Sequence, residues 1–383
     1  MADDVTTLDE PLAVKDNIHL DPNKLLGYNK IDTAWITTRG MGKSTVLTDL
    51  MYSQYKKGRT NILVRNQTVD ITDAYINDIE TNLNLFRKPS EYGKISHKGS
   101  LEKGVVDLYW EEGGVKGWIA RVIALSIKVT RYKSLTVPKV GWMIIDECIP
   151  NLRIGEKWLP KYTWRINELY STFARYAWLT EKRTLRKLWA GNPYSRYLPY
   201  FFETYKLDTM KLQPGATVVG KDYAISLETP SKELQEWLQH ANPSLLNDIN
   251  KEWQDFMSGS FVNDDHYIIE KTQPKNYKLR WVFRFGGTYL GIFRHIVDNP
   301  NPIYYDNFYD RQEPYWICVL DDYQSKYRDV LCFDLNDLVE GSIYALKDDK
   351  SRLQFLKNAI ARRQCSFKDV NAASIMEQVF LNL

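Results

Sequence analysis

The sequence predicts an α/β domain built on a mostly parallel sheet, followed by a helical linker and a C-terminal α+β domain. Short apolar runs alternate with amphipathic segments of helical spacing over the first part of the chain, which is typical of strand–helix–strand units. A polar helical stretch then ends this alternation, and a hairpin pattern around Gly286-Gly287 follows it. The predicted parts are a tail at 1–23, an α/β domain at 24–230, a linker at 231–262 and an α+β domain at 263–383.

The first half of the α/β domain contains two predicted strand–helix pairs. Residues 32–37 (DTAWIT) have the apolar content of a buried strand, and the residues after them have helical spacing up to Gly58, a predicted C-cap. A second strand at 60–66 and an amphipathic helix at 70–86 repeat the pattern. Consecutive units of this kind predict parallel strands joined by right-handed crossovers.

The rest of the chain supplies more elements of both kinds. Residues 105–125 predict a hairpin that turns at Gly113-Gly114, and residues 139–147 predict an apolar strand that ends in two acids. The further predicted elements are a helix at 168–179, strands at 185–193 and 217–230, a helical segment at 231–259, a hairpin at 277–297 and C-terminal helices at 350–364 and 370–383.

Composition excludes several classes of protein. Four cysteines lie far apart without a CxxC pair, which argues against a disulfide framework and against a zinc site. No apolar run has the length of a membrane span, and the acidic N-terminus lacks the apolar core of a secretory signal. His266 follows two aspartates, and we interpret this as a polar loop rather than a metal site.

The formal net charge of +3 is small, but the basic residues are unevenly distributed. Residues 113–145 contain six Lys/Arg and no acid, and residues 271–295 also contain six Lys/Arg and no acid. Local basic surfaces on a nearly neutral chain are typical of a protein that binds an acidic partner and then releases it. On charge alone, the candidates for DNA contact are Lys98, Lys103, Lys116 and Arg153. The alternative for each of them is an ordinary solvated side chain.

A glycine-rich turn between the first strand and the first helix predicts a phosphate-binding loop. In ITTRGMGKST, residues 36–45, Gly40 and Gly42 let backbone N–H groups converge on an anion at the helix N-terminus. Lys43 is expected to reach the β- and γ-phosphates of ATP, and Ser44 to bind Mg²⁺. Thr37 stands where the strict motif has glycine, so an accidental turn is the alternative. The predicted ATP-binding residues are Thr38, Arg39, Gly40, Met41, Gly42, Lys43, Ser44, Thr45 and Arg65.

Polar residues at the ends of two later strands complete the predicted site. The apolar strand WMII ends in Asp146, expected in the Mg²⁺ shell, and Glu147, expected to polarise the attacking water. We expect this strand to lie beside the first one; a strand ending at an acidic helix cap is the alternative. Asn192 ends the next strand, where it could contact the water or the γ-phosphate, although an Asn-Pro turn explains it equally well.

Taken together, these motifs resemble a known family. From about residue 24, the order YNKIDTAWITTRGMGKS, ILVRN, KGWIARVIALS, YKSLTVPKVGWMIIDE, AGNPYSRYLPYFF and RWVFRFGGTYLGIF resembles the genome-packaging ATPases of phi-twenty-nine-like small tailed phages. The resemblance implies a P-loop NTPase of the additional-strand (ASCE) type that uses ATP and Mg²⁺. It implies a homo-oligomeric ring, a pentamer in this family, on the portal of a prohead. That ring drives double-stranded DNA inward, in some relatives with a structural packaging RNA.

The resemblance also has implications for location and for residues that act between subunits. It places the chain in the host cytoplasm, transiently at the portal, absent from the mature virion and without a membrane partner. Arg175 matches the position of an arginine finger that completes a neighbour's site, and Lys133 matches a second basic residue of that interface. Arg183 and Arg186 are the alternatives for this function.

For the C-terminal domain, the resemblance implies an RNase H-like fold that has lost its nuclease activity. Such nucleases need an aspartate on their opening strand to hold two metal ions. Here that strand, LRWVFRFGG, has arginines, and Asp321, Asp322, Asp334 and Asp337 come only later. Two other functions remain open at this stage. One is a helicase, which the absence of helicase motifs after Asn192 disfavours, and the other is a nucleotide-gated assembly factor, which Thr37 favours.

Overall fold

The computed structural model describes most of the first 241 residues and separate segments of the rest. The described residues are 20–38, 40–85, 87–151, 156, 158–159, 161–194, 198–207, 212–241, 268–269, 271–285, 288–295, 315–320, 332–334, 365–368, 372–373 and 375–376. The chain divides into two compact units. The first is Met1–Pro150, Trp164–Tyr194 and Lys211–Val262, and the second is Asn151–Thr163, Ser195–Met210 and Asn263–Leu383.

A mixed sheet forms the centre of the first unit, and its order in the described residues is β3-β4-β5-β2-β6-β7-β1-β9-β8. The six strands from β5 to β9 in this order pair in parallel, whereas β3, β4 and β8 add antiparallel edges. The predicted mostly parallel sheet is therefore confirmed. Its strands are β1 (Asp32–Thr37), β2 (Thr60–Arg65), β3 (Lys94–Ser100), β4 (Val105–Glu112), β5 (Val115–Ala124), β6 (Val140–Ile145), β7 (Lys187–Gly191), β8 (Thr217–Val219) and β9 (Tyr223–Glu228).

Helix α3 begins and helix α2 ends at recognisable local signals. The Thr72 hydroxyl caps α3 by accepting from the Tyr75 N–H at 3.1 Å. Gly58 follows α2 with a φ of 71° and donates its N–H to the Tyr55 carbonyl at 2.8 Å, which confirms the predicted C-terminal glycine. The helices are α1 (Pro22–Leu26), α2 (Lys43–Lys56), α3 (Asp73–Asn84), α4 (Tyr162–Glu181), α5 (Pro199–Tyr205) and α6 (Lys232–Ala241).

The structure also refines several predicted elements. The turn between β4 and β5 lies at Gly113 and Gly114, as predicted, and both have positive φ, which suits a two-residue hairpin. The predicted strand at 217–230 is instead the antiparallel pair β8 and β9. Helix α4 begins at Tyr162, six residues before the predicted start. Residues 20–23, assigned to the tail from sequence, are ordered: Leu20 is buried and donates its N–H to the Met41 carbonyl at 3.1 Å.

A buried ion pair fixes the register of β1 against β7. Asp32 lies opposite Lys187, and the carboxylate and ammonium are 3.1 Å apart with almost no exposure. The Trp189 indole also donates to Asp32 at 2.8 Å, and the Lys187 ammonium lies 3.6 Å from the centre of the Tyr170 ring. Burial lowers the pKa of Lys187, and the Asp32 charge opposes this effect. Breaking such a pair would leave an uncompensated buried charge, so it holds the two strands in one alignment.

The second unit contains a six-stranded sheet in the described residues, in the order β10-β15-β13-β12-β11-β14. Strands β11, β12 and β13 form an antiparallel meander, and β14 pairs in parallel with β11. Phe202 of α5 packs in the apolar core of this unit with Phe283, Leu290 and Ile317. The strands are β10 (Ile268–Ile269), β11 (Tyr277–Phe285), β12 (Thr288–His295), β13 (Tyr315–Leu320), β14 (Cys332–Asp334) and β15 (Cys365–Phe367).

Some predictions concern residues outside the described ranges. They are the linker beyond residue 241, the turn at 286–287, the helix at 350–364, His266, Arg39, Arg153, Asp321, Asp322 and Asp337. None of the described helices is both long enough and apolar enough to span a membrane.

Glu203 of α5 gives a pH dependence that can be tested. Burial raises its pKa from 4.5 to about 7, so the folded carboxyl holds its proton more strongly than the unfolded one. This raised pKa contributes at most about 3 kcal/mol to the free energy of unfolding. The contribution is complete at a pH below the pKa of the Glu203 carboxyl in the unfolded chain, and it is lost as the pH rises through the pKa of this carboxyl in the folded chain. In urea unfolding, Glu203→Gln should gain stability relative to wild type between pH 5 and pH 8. The exposed Glu233→Gln variant is the control. A difference in the free energy of unfolding between Glu203→Gln and wild type that does not change with pH would contradict the raised pKa of Glu203.

Candidate nucleotide-binding site

The loop between β1 and α2 has the backbone of a phosphate-binding turn. Gly40 and Gly42 have φ of 82° and 81°, the left-handed region that glycine enters without strain. Gly42 occupies the N-cap of α2 without a side-chain hydrogen bond to the helix. The first N–H groups of a helix have no acceptor within the helix, and together with the helix dipole they favour an anion at this position. Thr37 is the last residue of β1 and has strand conformation, so a glycine is not required there.

Lys43 is folded back onto its own loop. Its ammonium donates to the carbonyl oxygens of Thr37 and Thr38, both at 2.7 Å, and to Asn192 Oδ1 at 3.0 Å. Asn192 directly follows β7, so the predicted contact residue of that strand lies against the lysine of the loop. A bound triphosphate offers the ammonium a charged partner in place of these neutral oxygens.

The two acids after β6 reach the same edge of the sheet, but not through a neighbouring strand. The expectation that β6 lies beside β1 is wrong: β7 stands between them. Main-chain bonds hold the acidic segment in place, because Asp146 N–H donates to Val64 O at 3.1 Å and Cys148 N–H to Ala190 O at 2.9 Å. The intervening strand is also the one that supplies Asn192, so all three strands contribute to one site.

Arg65 at the end of β2 pairs with both acids. One of its terminal nitrogens donates to Asp146 Oδ2 at 2.9 Å, and the other donates to Glu147 Oε2. Burial opposes the charge of Arg65, but Tyr75, Asp146 and Glu147 outweigh it and raise the pKa of the guanidinium above its ordinary value. Arg65 was predicted to bind ATP; here the structure places it on the two carboxylates.

Glu147 differs from Asp146 in exposure and in backbone conformation. The Glu147 side chain is 57% exposed, against 17% for Asp146. Its φ of 50° lies in the left-handed region, which is uncommon for a residue other than glycine. Asn66 stabilises this conformation by donating its side-chain N–H to the Glu147 carbonyl at 2.9 Å. Backbone strain of this kind occurs preferentially at functional sites.

Helix α3 contacts both halves of the site, which the sequence did not reveal. The Tyr75 hydroxyl donates to Asp146 Oδ2 at 3.3 Å, and its ring lies 4.5 Å from the Arg65 guanidinium. Burial, together with the Asp146 charge, raises the pKa of Tyr75 well above its ordinary value, so the hydroxyl keeps its proton. Two turns later, Asn82 Oδ1 accepts from the Thr45 hydroxyl at 3.2 Å. The one signal in the sequence is that Tyr75 and Asn82, seven residues apart, lie on the same face of the predicted helix.

These groups line one cavity of about 700 Å³, the size of a typical small-molecule site. The predicted residues that line it are Gly40, Gly42, Lys43, Ser44, Thr45, Arg65, Asp146, Glu147 and Asn192. Ser44 and Asp146 supply hydroxyl and carboxylate oxygens, the donors that Mg²⁺ prefers. In chemical terms, the cavity offers N–H groups and an ammonium for phosphates, oxygen ligands for a hard cation and an exposed carboxylate that can accept a proton.

Two solved structures match the chain over nearly its whole length. The Phi-28 gp11 DNA packaging motor is 16% identical with a TM-score of 0.59, over 94% of this chain and 96% of that one. The bacteriophage Phi-29 viral genome packaging motor assembly is 17% identical with a TM-score of 0.57, over 96% of this chain and 99% of that one. Neither a protein-family model nor a curated protein matches the chain.

The chain has the fold of these packaging motors. At this level of identity, the match concerns the fold alone, and function has to be argued from the site.

The residues predicted to act between subunits do not line the cavity of their own chain. Arg175 is exposed on α4, and Lys133 is exposed on the 3₁₀ turn Val129–Ser134. The alternatives Arg183 and Arg186 are less exposed than Arg175 and Lys133. Arg183 binds Glu181 at 3.0 Å and the Gly141 carbonyl at 3.0 Å, near the N-terminal end of β6 and therefore at the sheet edge opposite the acids. Burial lowers the pKa of both arginines.

Three of the candidate DNA contacts lie in the described residues and do not line the cavity. Lys98 is exposed on β3, Lys103 on the turn that follows it, and Lys116 on β5 at 5.6 Å from the centre of the Tyr109 ring. Lys98 and Lys103 therefore belong to the antiparallel edge of the sheet, and Lys116 lies opposite Glu111 in the antiparallel pairing of β5 with β4.

The pairing of Arg65 with the two acids predicts a specific stability change. Arg65→Met should destabilise the fold by about 2–4 kcal/mol, because two adjacent carboxylates lose their shared cation. The loss should be smaller in an Asp146→Asn background, where one of the charges is already absent. Urea unfolding of the four chains measures this coupling.

The pair Lys24–Glu228, 3.3 Å apart and with the lysine side chain 57% exposed, provides the control for the Arg65 experiment. Lys24→Met should cost less than about 1 kcal/mol, because solvent screens this pair. An equal effect of Arg65→Met in both backgrounds would contradict the pairing.

Proposed function

We propose that the chain is the ATP-driven motor that moves double-stranded DNA through the portal into a viral prohead. The observation that carries this proposal is the meeting of Lys43, Asn192, Asp146 and Glu147 at one cavity, on a fold shared with two DNA packaging motors. Such a protein acts in the host cytoplasm, transiently at the portal, and is absent from the mature virion.

In the proposed mechanism, the loop and the start of α2 bind the triphosphate. The backbone N–H groups from Gly40 to Thr45 surround the phosphates, and Lys43 moves from the loop carbonyls to the β- and γ-phosphates. Ser44 and Asp146 would hold Mg²⁺, which would supply positive charge to the phosphates. Asn192, once released by Lys43, is placed to orient a water molecule near the γ-phosphate.

Glu147 is the proposed proton acceptor. Its carboxylate is exposed and lines the cavity. Once Arg65 has released this carboxylate, it accepts a proton from the water that attacks the γ-phosphate. Arg65 therefore controls whether the acid is available, in addition to any contact with the nucleotide. Tyr75 stays on Asp146 and maintains the orientation of that carboxylate.

The cations that complete the site are proposed to come from a neighbouring protomer in a homo-oligomeric ring. Arg175 is the first candidate and Lys133 the second, because both are exposed and neither reaches the cavity of its own chain. A guanidinium supplied in this way stabilises charge that develops on the γ-phosphate. The pentamer and a packaging RNA are parts of this proposal that rest on the family resemblance.

The second unit is proposed to be an RNase H-like domain without nuclease activity. The meander β11-β12-β13 with β14 in parallel beside β11 supports this topology. Arg284 of β11 lies in register with Asp334 of β14, so a cationic residue occupies the position next to the later acid. A first-strand arginine disfavours the metal pair that nuclease chemistry needs. Lys98, Lys103, Lys116 and Arg153 remain the proposed DNA contacts.

DNA-stimulated ATP hydrolysis is the central test of the function. A motor should hydrolyse ATP faster with double-stranded DNA and proheads, whereas a nucleotide-gated assembly factor should be indifferent to DNA. Glu147→Gln should abolish turnover and retain nucleotide binding, measured with a fluorescent ATP analogue, because only the proton acceptor is lost. Full turnover in this variant would contradict its assigned role. The exposed Glu111→Gln variant is the matched control.

Complementation between two inactive variants tests the contribution of Arg175. Arg175→Ala should lower DNA-stimulated turnover by about 10³-fold or more, and Lys43→Ala should lose nucleotide binding. Mixed in equal amounts, they should recover activity, since a ring then contains sites with an intact loop beside an intact Arg175. If the mixture stays inactive while both variants assemble, Arg175 does not act between subunits. The exposed Arg131→Ala variant controls for loss of one surface arginine.

A further inference from the structure

One side of strands β3, β4 and β5 carries a cross-strand pair of aromatic residues. Tyr109 of β4 lies opposite Trp118 of β5, and their rings stack with centroids 6.4 Å apart and planes inclined by 23°. Both residues are partly exposed, whereas Leu108 and Trp110, on the other side of β4, are buried. We call the side that carries Tyr109 and Trp118 the aromatic face. It presents two stacked π systems near the antiparallel edge of the sheet.

Two lysines occupy the row of residues on one side of the aromatic pair. The strand register places Lys94 of β3 and Lys116 of β5 on either side of Glu111 of β4. All three residues are exposed, and the Lys116 ammonium lies 5.6 Å from the centre of the Tyr109 ring. This row therefore has one positive charge in excess, next to an aromatic ring.

The row on the other side of the pair has the same excess of charge. Lys98 is exposed on β3 and lies opposite Asp107 of β4. Arg121 of β5 holds that aspartate, because its Nε and Nη2 donate to the two carboxylate oxygens at 2.6 and 2.9 Å. Arg121 thereby neutralises Asp107 and leaves the charge of Lys98 unbalanced within the row. The Arg121 guanidinium also lies 4.8 Å from the centre of the Trp118 ring, so each ring has a cation beside it.

The segments next to the aromatic face add positive charge rather than negative charge. The turn from β3 to β4 contributes one acid, Glu102, and one base, Lys103. The segment 126–139 after β5 reaches this face where the Thr136 carbonyl accepts from Arg121 Nη1 at 2.9 Å. This segment contains four Lys/Arg and no acid. A ligand of the aromatic face therefore has to be anionic.

Stacked rings between two rows of cations suit an unpaired polynucleotide strand. Nucleobases stack on aromatic side chains and on guanidinium planes, and phosphates bind lysine ammonium groups. Residues on one side of a strand repeat about every 7 Å, so both cationic rows lie within reach of a strand whose bases occupy the aromatic row. An acidic peptide would use the cations without the rings. A duplex keeps its bases paired inside and offers them no base to stack on.

We propose that the aromatic face binds single-stranded DNA. Unpaired bases stack on Tyr109 and Trp118, and the phosphates on either side of them bind Lys98 in one row and Lys94 and Lys116 in the other. This ligand differs from the double-stranded DNA of the proposed function, and the rings are contacts that charge alone did not indicate. The proposal rests on the proposed function in one respect: the motor assignment makes DNA, rather than RNA, the polynucleotide.

A purely structural role of the aromatic pair is the main alternative. Cross-strand aromatic pairs and cation–π contacts stabilise antiparallel sheets. Such a role accounts for the two rings and for the cations beside them. It does not account for Lys94 and Lys98, which continue both cationic rows onto the exposed edge strand.

Fluorescence anisotropy of the full-length chain with a labelled single strand of about 12 nucleotides tests the proposal. The critical comparison is an abasic strand, which has the same phosphates and no bases. It should bind the wild-type chain at least about fivefold more weakly, because stacking on the two rings is lost. Equal affinities for the two strands would overturn the proposal.

Substitutions of one ring localise the stacking. Trp118→Leu should weaken binding of the base-containing strand at least about fivefold and leave binding of the abasic strand unchanged, whereas Trp118→Phe should retain most of the affinity. Trp178→Leu, which removes a tryptophan that is 58% exposed on α4, is the matched control and should bind like wild type. Unchanged binding in a Trp118→Leu variant that folds, as judged by circular dichroism, would overturn the proposal.

The salt dependence of binding tests the lysines, whose exposed side chains can be changed without risk to the fold. Lys94→Gln and Lys98→Gln should each reduce the slope of log K against log salt concentration by about 0.7, the value for one phosphate of a single strand. Trp118→Leu should keep the wild-type slope, and the exposed Lys232→Gln variant of α6 is the control. A wild-type slope in the double variant of Lys94 and Lys98 would overturn the proposed phosphate contacts.

Two further comparisons separate the ligand and the function. An RNA strand of the same sequence should bind no more tightly than DNA, and RNA binding about tenfold tighter that depends on Trp118 would overturn the assignment to DNA. A chain that hydrolyses no ATP but binds single strands through Trp118 would refute the motor and leave the aromatic face as a binding site. A chain with DNA-stimulated turnover whose single-strand binding ignores Trp118 would refute the aromatic face and leave the motor intact.

Discussion

The candidate site depends on the parallel alignment of β1, β7 and β6. Asp32 and Lys187, buried opposite each other, fix β1 against β7, and β7 in turn pairs with β6. Because the strands run in the same direction, the phosphate-binding turn, Asn192 and the acid pair all leave the sheet at its carboxyl edge. A slip in register would move these groups apart by a full residue or more, so the ion pair at the far end of the strands matters for the chemistry at the near end.

In this structure, the charged side chains Lys43 and Arg65 of the site bind groups of the same chain. Lys43 binds the carbonyls of its own loop, and Arg65 binds both Asp146 and Glu147. A nucleotide bound as we propose would therefore exchange one set of contacts for another rather than enter a site with free charges. When Lys43 leaves these contacts, the Asn192 side chain loses its hydrogen bond to the ammonium. When Glu147 leaves Arg65, the guanidinium loses one of its two carboxylates. Binding is in this way coupled to side chains on β2, β6 and β7 together.

Helix α3 adds a second link between the two halves of the site. Its Tyr75 reaches the acid after β6, and its Asn82 reaches the residue beside Ser44 at the start of α2.

The sequence by itself determined the features that depend on neighbouring residues. The buried strand DTAWIT, the turn at Gly113-Gly114, the left-handed glycines of the loop and the polar ends of the strands follow from local apolarity and backbone freedom. The order of the strands and the pairing of Arg65 with acids 81 and 82 positions away were decided only in the tertiary structure. Strand β3 was missed because its mostly exposed edge residues lack an apolar signal. Contacts between residues distant in sequence depend on how crossovers order the sheet, and no local pattern encodes that order.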